Sequence, residues 1–352
     1  GRKILPLDKS VTPEQAAGFK KVFDKMTANV EQVLLGKTRT VQLAFTAMLS
    51  GGHLLLEDYP GTGKTSLARA MAQTVQGTHS RVQFTPDLLP GDITGVSIFD
   101  QKTGKFEFHQ GPIFANIVLA DEINRASPKT QSALLEVMEE HHVTVDGKTH
   151  TVTEPFMVIA TQNPIEQAGT YRLPEAQLDR FLMKASLGYP DHASTLQILE
   201  GSAKKTAKEL DGIVPADMIV KLIDLAKTVQ VDSEINDYVS RIVEATRFAP
   251  EVRLGASVRG ALALVRAARV MAASQGRHYV IPDDIKALAD VVLSHRLVLD
   301  PEAEFDGVTA SNVVGKILID LPVGAVKEPA ATSAPSASGS SRNSTKPIKG
   351  GE

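Results

Sequence analysis

One short stretch constrains this chain more than any other. Leu54-Leu55-Leu56-Glu57 is an apolar run of strand length, Asp58-Tyr59-Pro60-Gly61-Thr62-Gly63 is a glycine-rich turn, and Lys64-Thr65-Ser66 opens a helical pattern that continues from Leu67 to Thr74. Strand, loop and helix in that order are the context in which a glycine-rich loop holds phosphate. Backbone N–H groups around Gly61 to Thr65 can ring a polyphosphate because glycine permits close approach, and the helix N-terminus adds a favourable dipole. Lys64 would reach the terminal phosphates, and Thr65 would offer a hydroxyl to Mg²⁺, a cation that prefers hard oxygen ligands and keeps several waters. The first glycine of the GxxxxGK[ST] pattern is replaced by Asp58, a residue type that visits left-handed backbone more readily than most, so the turn stays feasible. The competing reading is a chance glycine-rich turn ahead of a helix.

The surrounding sequence supplies a matching architecture. From Val30 to about Gly188, short apolar runs alternate with amphipathic segments, and His53–Leu56, Val82–Phe84, Ile117–Ala120 and Met157–Thr161 read as strands. Continuous apolar runs suit strands buried on both faces, and the alternation predicts βαβ units with a mainly parallel sheet between helices. Two β-hairpins interrupt it. Val96 and Ile98, a turn over Gln101 to Gly104, then Phe106 and Phe108 form the first; Val143 and Val145, the pair Asp146-Gly147, then Thr149 to Thr153 form the second. Either edge decoration or a partner-contacting surface accounts for them.

A helix from Pro13 to Met26, capped by Thr12, leads the chain. After Tyr189-Pro190 the pattern becomes helices only, over Ala193–Leu210, Ala216–Val229, Ile235–Phe248, Ser257–Ser274, Pro282–Ser294 and Ala310–Leu321. From Ala325 to Glu352 the composition turns to Ala, Ser, Pro, Gly and Lys, which cannot offset ordering entropy by burial and predicts a disordered tail. The expected division is therefore a leading segment 1–28, an α/β core 29–189, an all-α domain 190–324 and a tail 325–352. A length of 352 residues accommodates two such domains.

Two further strand ends carry chemistry. Ile117-Val118-Leu119-Ala120-Asp121-Glu122 ends in adjacent carboxylates whose side chains point opposite ways, so Asp121 could orient a Mg²⁺ shell while Glu122 takes a proton from an attacking water. Val158 to Gln162 leads into Asn163, a neutral hydrogen-bonding residue suited to the water or the terminal phosphate, or simply a turn residue before Pro164. Other chemistries find little support. With no cysteine, disulfides, thiolate metal sites and Cys nucleophiles are excluded. The adjacent His141 and His142 point apart, which disfavours a metal pair. A net charge of −3, 5% aromatic residues and no Trp argue against a nucleic-acid partner. The longest charge-free stretch, Val41 to Leu56, is too short and too polar to span a membrane. With no signal-peptide pattern in view, a cytoplasmic location is expected.

Taken together, the segments Leu56 to Thr65, Leu119-Ala120-Asp121-Glu122-Ile123-Asn124-Arg125-Ala126, Ala160-Thr161-Gln162-Asn163-Pro164 and Leu173-Pro174-Glu175-Ala176-Gln177-Leu178-Asp179-Arg180-Phe181 resemble, in order, those of MoxR-type AAA+ ATPases. The resemblance covers about residues 28 to 322, and Asp58 itself matches the MoxR-like loop. It implies a P-loop αβα sandwich with hairpin insertions and a helical lid, assembled as a homohexamer with ATP and Mg²⁺ at subunit interfaces. By motif, Arg180 resembles the arginine finger that reaches the neighbour's terminal phosphate, and Arg259, in Gly255-Ala256-Ser257-Val258-Arg259, the lid's nucleotide-sensing arginine. Val33-Leu34-Leu35-Gly36 resembles the adenine-side segment, although Lys37 stands where many relatives have Gln. The implied nucleotide contacts are Leu35, Gly36, Asp58, Tyr59, Pro60, Gly61, Thr62, Gly63, Lys64, Thr65 and Ser66, with Thr65 and Asp121 on the metal and Glu122, Asn163, Arg180 and Arg259 in catalysis.

The expected activity is ATP hydrolysis coupled to remodelling of, or metal insertion into, a client protein; the bound phosphate would bridge core and lid, so hydrolysis would change their angle. By resemblance the partner carries a von Willebrand factor A domain. Alternatives are a magnesium-chelatase-like motor subunit, a nucleotide-gated scaffold with negligible turnover, and a nucleic-acid motor or clamp.

Overall fold

The computed structural model describes residues 10–57, 63–163, 169–201 and 205–324. The loop residues Asp58, Tyr59, Pro60, Gly61 and Thr62 and the tail 325–352 lie outside them.

The helices α1 (Pro13–Glu31) and α2 (Thr38–Leu49) precede β1 (Leu54–Glu57), α3 (Lys64–Thr74), β2 (His79–Gln83) and a short α4 (Pro90–Thr94). Next come the hairpin β3 (Gly95–Asp100) and β4 (Lys105–Gln110), then β5 (Ile117–Asp121) and α5 (Pro128–Glu140). The second hairpin is β6 (His142–Val145) and β7 (Lys148–Thr151), followed by β8 (Met157–Gln162), α6 (Glu175–Leu178) and β9 (Met183–Ala185). Strands β1, β2, β5, β8 and β9 form one parallel sheet in the order β2-β5-β8-β1-β9.

The period-two side-chain alternation of a strand explains why the apolar runs are continuous. Leu54 and Leu56, Ile117 and Leu119, and Met157 and Ile159 face a core shared with α1, α2, α3 and the C-terminal helices. Leu55, Val118, Ala120, Val158 and Ala160 face a second core with Leu134, Leu135 and Met138 of α5. Strands β1, β5 and β8 are thus wetted on neither face, and the sheet lies between two helical layers.

Helix α1 starts where the sequence places it, with a reciprocal capping box between Thr12 and Gln15 and Pro13 in its first turn, but runs on to Glu31. Both hairpins form at the expected positions, with Asp146 and Gly147 at positive φ in the second turn. They touch: Phe108 of the first stacks on His150 of the second, ring centroids 3.9 Å apart. Val96, Ile98, Phe99 and Phe106 remain exposed on the first.

The remaining chain comprises α7 (His192–Leu199), α8 (Ala216–Ala226), α9 (Ser233–Phe248), β10 (Val252–Leu254), α10 (Val258–Ser274), α11 (Pro282–Leu293), β11 (Val298–Leu299), α12 (Pro301–Phe305) and α13 (Ala310–Asp320). Two expectations are corrected. This part is not helices only, because β10 and β11 pair antiparallel; and the helix expected over Ala193–Leu210 stops at Leu199, with Gly201 at positive φ just beyond, before a separate 3₁₀ turn at Ala207–Glu209. The helical lid packs along the β9 edge, and α10 lies against α1 and α11. No helix among the described residues is long and apolar enough to cross a membrane.

Two buried histidines pin the sheet's amino edge. His53 Nδ1 accepts the Val158 N–H at 2.9 Å, and Nε2–H donates to the Met138 carbonyl at 3.0 Å. His295 Nε2–H donates to the Phe181 carbonyl at 2.8 Å. Burial lowers the pKa of each from 6.5 to about 3. Both folded-state values lie below the unfolded one, so below pH 6.5 the unfolded chain binds the extra protons. As regards these groups, stability is flat above pH 6.5 and falls between there and about pH 3, by up to ~1.4 kcal/mol per pH unit for each histidine. Denaturant midpoints measured on either side of pH 6.5 check this; a midpoint that holds steady well below that pH would contradict it.

Candidate active site

The sheet order sets β5, β8 and β1 side by side, so their carboxyl ends share one edge, the place where open α/β sheets bind ligands. Gly63 caps α3 with φ +96°, a left-handed conformation that glycine adopts without strain, and Lys64 begins the helix. Lys64 Nζ lies 3.8 Å from Asp121 Oδ1. Thr65 and Ser66 follow in the first turn of α3 and line a recess with Arg69 and Lys208.

The acidic pair is held by a residue the sequence reading left unassigned. Thr161, fully buried in β8, donates its hydroxyl to Asp121 Oδ1 at 2.6 Å and accepts the Glu122 N–H at 2.9 Å. Glu122 sits at φ +55°, an uncommon conformation for a non-glycine residue, and the Thr161 bond secures that turn. The neighbouring β2 contributes two more polar contacts from alternate positions: Arg81 Nη2 to Asp121 Oδ2 at 2.8 Å and Gln83 Nε2 to Glu122 Oε2 at 2.9 Å. Burial pushes the Asp121 carboxyl up, but the Thr161 and Arg81 hydrogen bonds and the Lys64 and Arg81 charges outweigh it and hold the group below its ordinary range. An anionic Asp121 and the Thr65 hydroxyl fit Mg²⁺, which takes one or two protein oxygens and completes its shell with phosphate and water.

Asn163 follows β8 directly and lines a polar cleft of about 660 Å³ with Glu57, Gln162, Lys184 and residues 294–310 of the lid. Leu35 and Gly36 lie in the turn between α1 and α2, and that turn approaches both the phosphate loop and the lid. Leu34 packs within 3.0 Å of where a Cβ on Gly63 would lie, and Gly36 abuts Ser194 at the start of α7. Lys37, the departure from the family pattern, donates to the carbonyls of Leu187, Gly188 and Tyr189, so it ties this turn to the chain leaving β9.

The two arginines lie elsewhere. Arg180 Nε contacts Glu139 Oε2 at 2.9 Å, and Arg259 Nη2 contacts Glu139 Oε1 at 3.0 Å. Glu139 follows Met138, whose carbonyl holds His53, and the Leu182 N–H donates to the His53 carbonyl at 2.9 Å. His53 precedes β1 whereas Lys64 follows it, so the arginines occupy the sheet's amino edge, separated from Lys64 by at least the strand's length, roughly 13 Å. Arg180 and Arg259 therefore lie together, and neither is beside the Lys64 and Asp121 of its own chain. Arg180 pairs with Glu139 rather than with the adjacent Glu175 or Asp179; Asp179 instead binds Arg296, whose Nε lies 2.6 Å from Asp179 Oδ1.

Known proteins resemble this chain along most of its length. Residues 53–183 match the ATPase family associated with various cellular activities (AAA), and residues 244–317 match the AAA lid domain. The chain is 49% identical over 302 residues to YeaC of Bacillus subtilis, described as an uncharacterized protein, covering 85% of this chain and 94% of that one. It is 43% identical over 301 residues to chaperone MoxR1 of Mycobacterium tuberculosis, covering 82% and 79%. The chain belongs to the MoxR family of AAA+ ATPases. A crystal structure of a candidate ATPase from Cytophaga hutchinsonii superposes on this MoxR-family chain with a TM-score of 0.82 at 38% identity, covering 88% of this chain and 97% of that one.

In this MoxR-family chain the contacts that Thr161, Arg81 and Gln83 make to Asp121 and Glu122 are not evident from the sequence. Thr161 and Gln83 are interior or terminal strand residues whose partners come from neighbouring strands. For Thr161 a faint signal existed, a polar residue closing the apolar run Met157 to Ala160; Gln83 ends a mostly polar strand and carries none.

Proposed function

We propose that this chain hydrolyses ATP at a site shared between two subunits of a homohexameric ring, and that the ring remodels a client protein. The observation that carries the reading is the grouping of Lys64, Asp121, Thr161 and Glu122 at the carboxyl edge of β1, β5 and β8, with Arg180 and Arg259 together at the opposite edge. Amides of the phosphate loop and Lys64 hold the triphosphate, while Leu35 and Gly36 border the base. Asp121 and Thr65 would hold Mg²⁺, which when bound offsets charge on the phosphate oxygens. Glu122 takes the proton of the attacking water, and Asn163 orients that water. Neither arginine can reach the phosphate of its own chain, so both act on the adjoining subunit's nucleotide, where a guanidinium offsets charge that develops in the transition state.

The MoxR1 relative is named a chaperone, which supports a client-remodelling role; a partner with a von Willebrand factor A domain, metal insertion as the form of the work, a cytoplasmic setting, and division into core 29–189 and lid 190–324 belong to the same proposal. The exposed apolar side chains of the β3–β4 hairpin, Val96 and Ile98 on one face and Phe99 and Phe106 on the other, offer a client contact. A phosphate-release assay at saturating ATP, with and without magnesium, tests the activity. Magnesium-dependent release is expected, and ATP binding without release would instead favour a nucleotide-gated scaffold.

A further inference from the structure

Glu139 takes no part in the site just described, yet one carboxylate there engages both arginines. Arg180 arrives from the segment before β9 and Arg259 from the first turn of α10, far apart in sequence. Glu139 Oε2 meets Arg180 Nε at 2.9 Å and Oε1 meets Arg259 Nη2 at 3.0 Å. Asp179 approaches Arg259 Nε only at 3.5 Å, and its shorter contact, 2.6 Å, is with Arg296. Arg180, Arg259, Arg266 and Arg296 with Asp179 line a cavity of about 240 Å³. Counting Glu139, four guanidiniums face two carboxylates, an excess of two positive charges. Guanidiniums so placed repel one another; burial first, and then the Arg259 charge, disfavour the charged form of Arg266. A carboxylate between two of them offsets that repulsion and fixes their separation through charge-assisted contacts. It engages Arg180 through Nε, and a guanidinium carries five N–H donors, more than one carboxylate can use.

We propose that Glu139 is a positioning residue: it holds the Arg180 and Arg259 guanidiniums side by side so that both meet the phosphate carried by the adjoining subunit. The inference rests on the reading that these arginines act across the subunit interface. Its location makes the role separable from nucleotide binding, since Glu139 lies at the amino edge of the sheet and Lys64 at the carboxyl edge. The guanidiniums left when it is replaced, Arg180 and Arg259, have side chains 28% and 49% exposed, so neither becomes a fully buried charge without a partner. A carboxylate that merely restrained the arginines until assembly would have the opposite signature, because removing it would raise turnover.

Full-length Glu139→Ala alone is expected to lose turnover about tenfold or more while ATP affinity stays within about twofold, a split in kcat rather than in binding. Mixed with Glu122→Gln, which keeps intact arginines, it should recover activity. At roughly a quarter of the interfaces in randomly mixed rings, an intact Glu122 site of one variant faces intact arginines of the other. A parallel mixture of Arg180→Ala with Glu122→Gln is the control. Recovery in the control but not in the Glu139→Ala mixture overturns the proposal and leaves the shared site standing; recovery in neither overturns the shared site as well. Parental or raised turnover by Glu139→Ala alone also overturns the proposal. Glu139→Gln, which keeps the side chain's size, should reproduce the turnover loss with an unchanged melting temperature; loss of ATP binding in both variants would contradict the positioning role.

Discussion

Replacing Glu122 by Gln is expected to reduce ATP turnover by about two to four orders of magnitude, the range assigned to a positioned general base. Gln preserves the size of the side chain and can still meet Gln83, whose Nε2 now donates to Glu122 Oε2 at 2.9 Å. It cannot accept a proton from water at neutral pH. Lys64, Asp121 and Thr161 are untouched, so ATP should bind with parental affinity and remain uncleaved. Single-turnover phosphate release together with equilibrium nucleotide binding measures both halves. Parental turnover would remove Glu122 from the chemistry, and lost binding would mean that the carboxylate holds the site together instead.

A loss of about a thousandfold is expected for Arg180→Ala, the lower end of what an arginine delivered to a phosphoryl-transfer site contributes. The side chain is partly exposed and, among the described residues, its ion pair is to Glu139. An exposed ion pair is worth at most about 1 kcal/mol of stability, so the variant should fold and bind ATP as the parent does. A stable, ATP-binding and inactive variant is the combination that distinguishes a residue working on a neighbour's substrate from one supporting its own fold. Turnover and melting temperature, read on the same preparation, decide between them; a marked fall in melting temperature with turnover only proportionately reduced would contradict the assignment.

Much of this molecule is legible in its sequence, because the governing signals are local. The apolar runs that become β1, β5 and β8 each end in a polar residue, Glu57, Asp121 and Gln162, and the Asp146-Gly147 pair announces the second hairpin's turn. Strand β9 is not legible: Met183-Lys184-Ala185 is three residues long with a charge at its centre, and only pairing with Leu54 to Leu56 makes it a strand. The same holds for β10 and β11, which exist as each other's partners. Helix α7 is shorter than its periodicity suggests because Gly201 supplies a left-handed end, a signal present in the sequence but outweighed by the apolar pattern around it. At the site, residues whose roles depend on one motif were evident, whereas Thr161, Arg81 and Glu139 act through partners about forty to one hundred and twenty positions away. The placement of Arg259 illustrates the limit. Its motif identifies the residue, but only the packing of the lid along β9 decides which subunit's nucleotide it can serve.

The most direct measurement of the shared site is the ATPase rate per subunit across a protein dilution series, with the assembly state determined at each concentration. If one chain holds the triphosphate and the next supplies the guanidiniums, the rate per subunit falls as the rings dissociate and tracks the fraction assembled. A rate per subunit that stays constant down to demonstrated monomers would contradict the account.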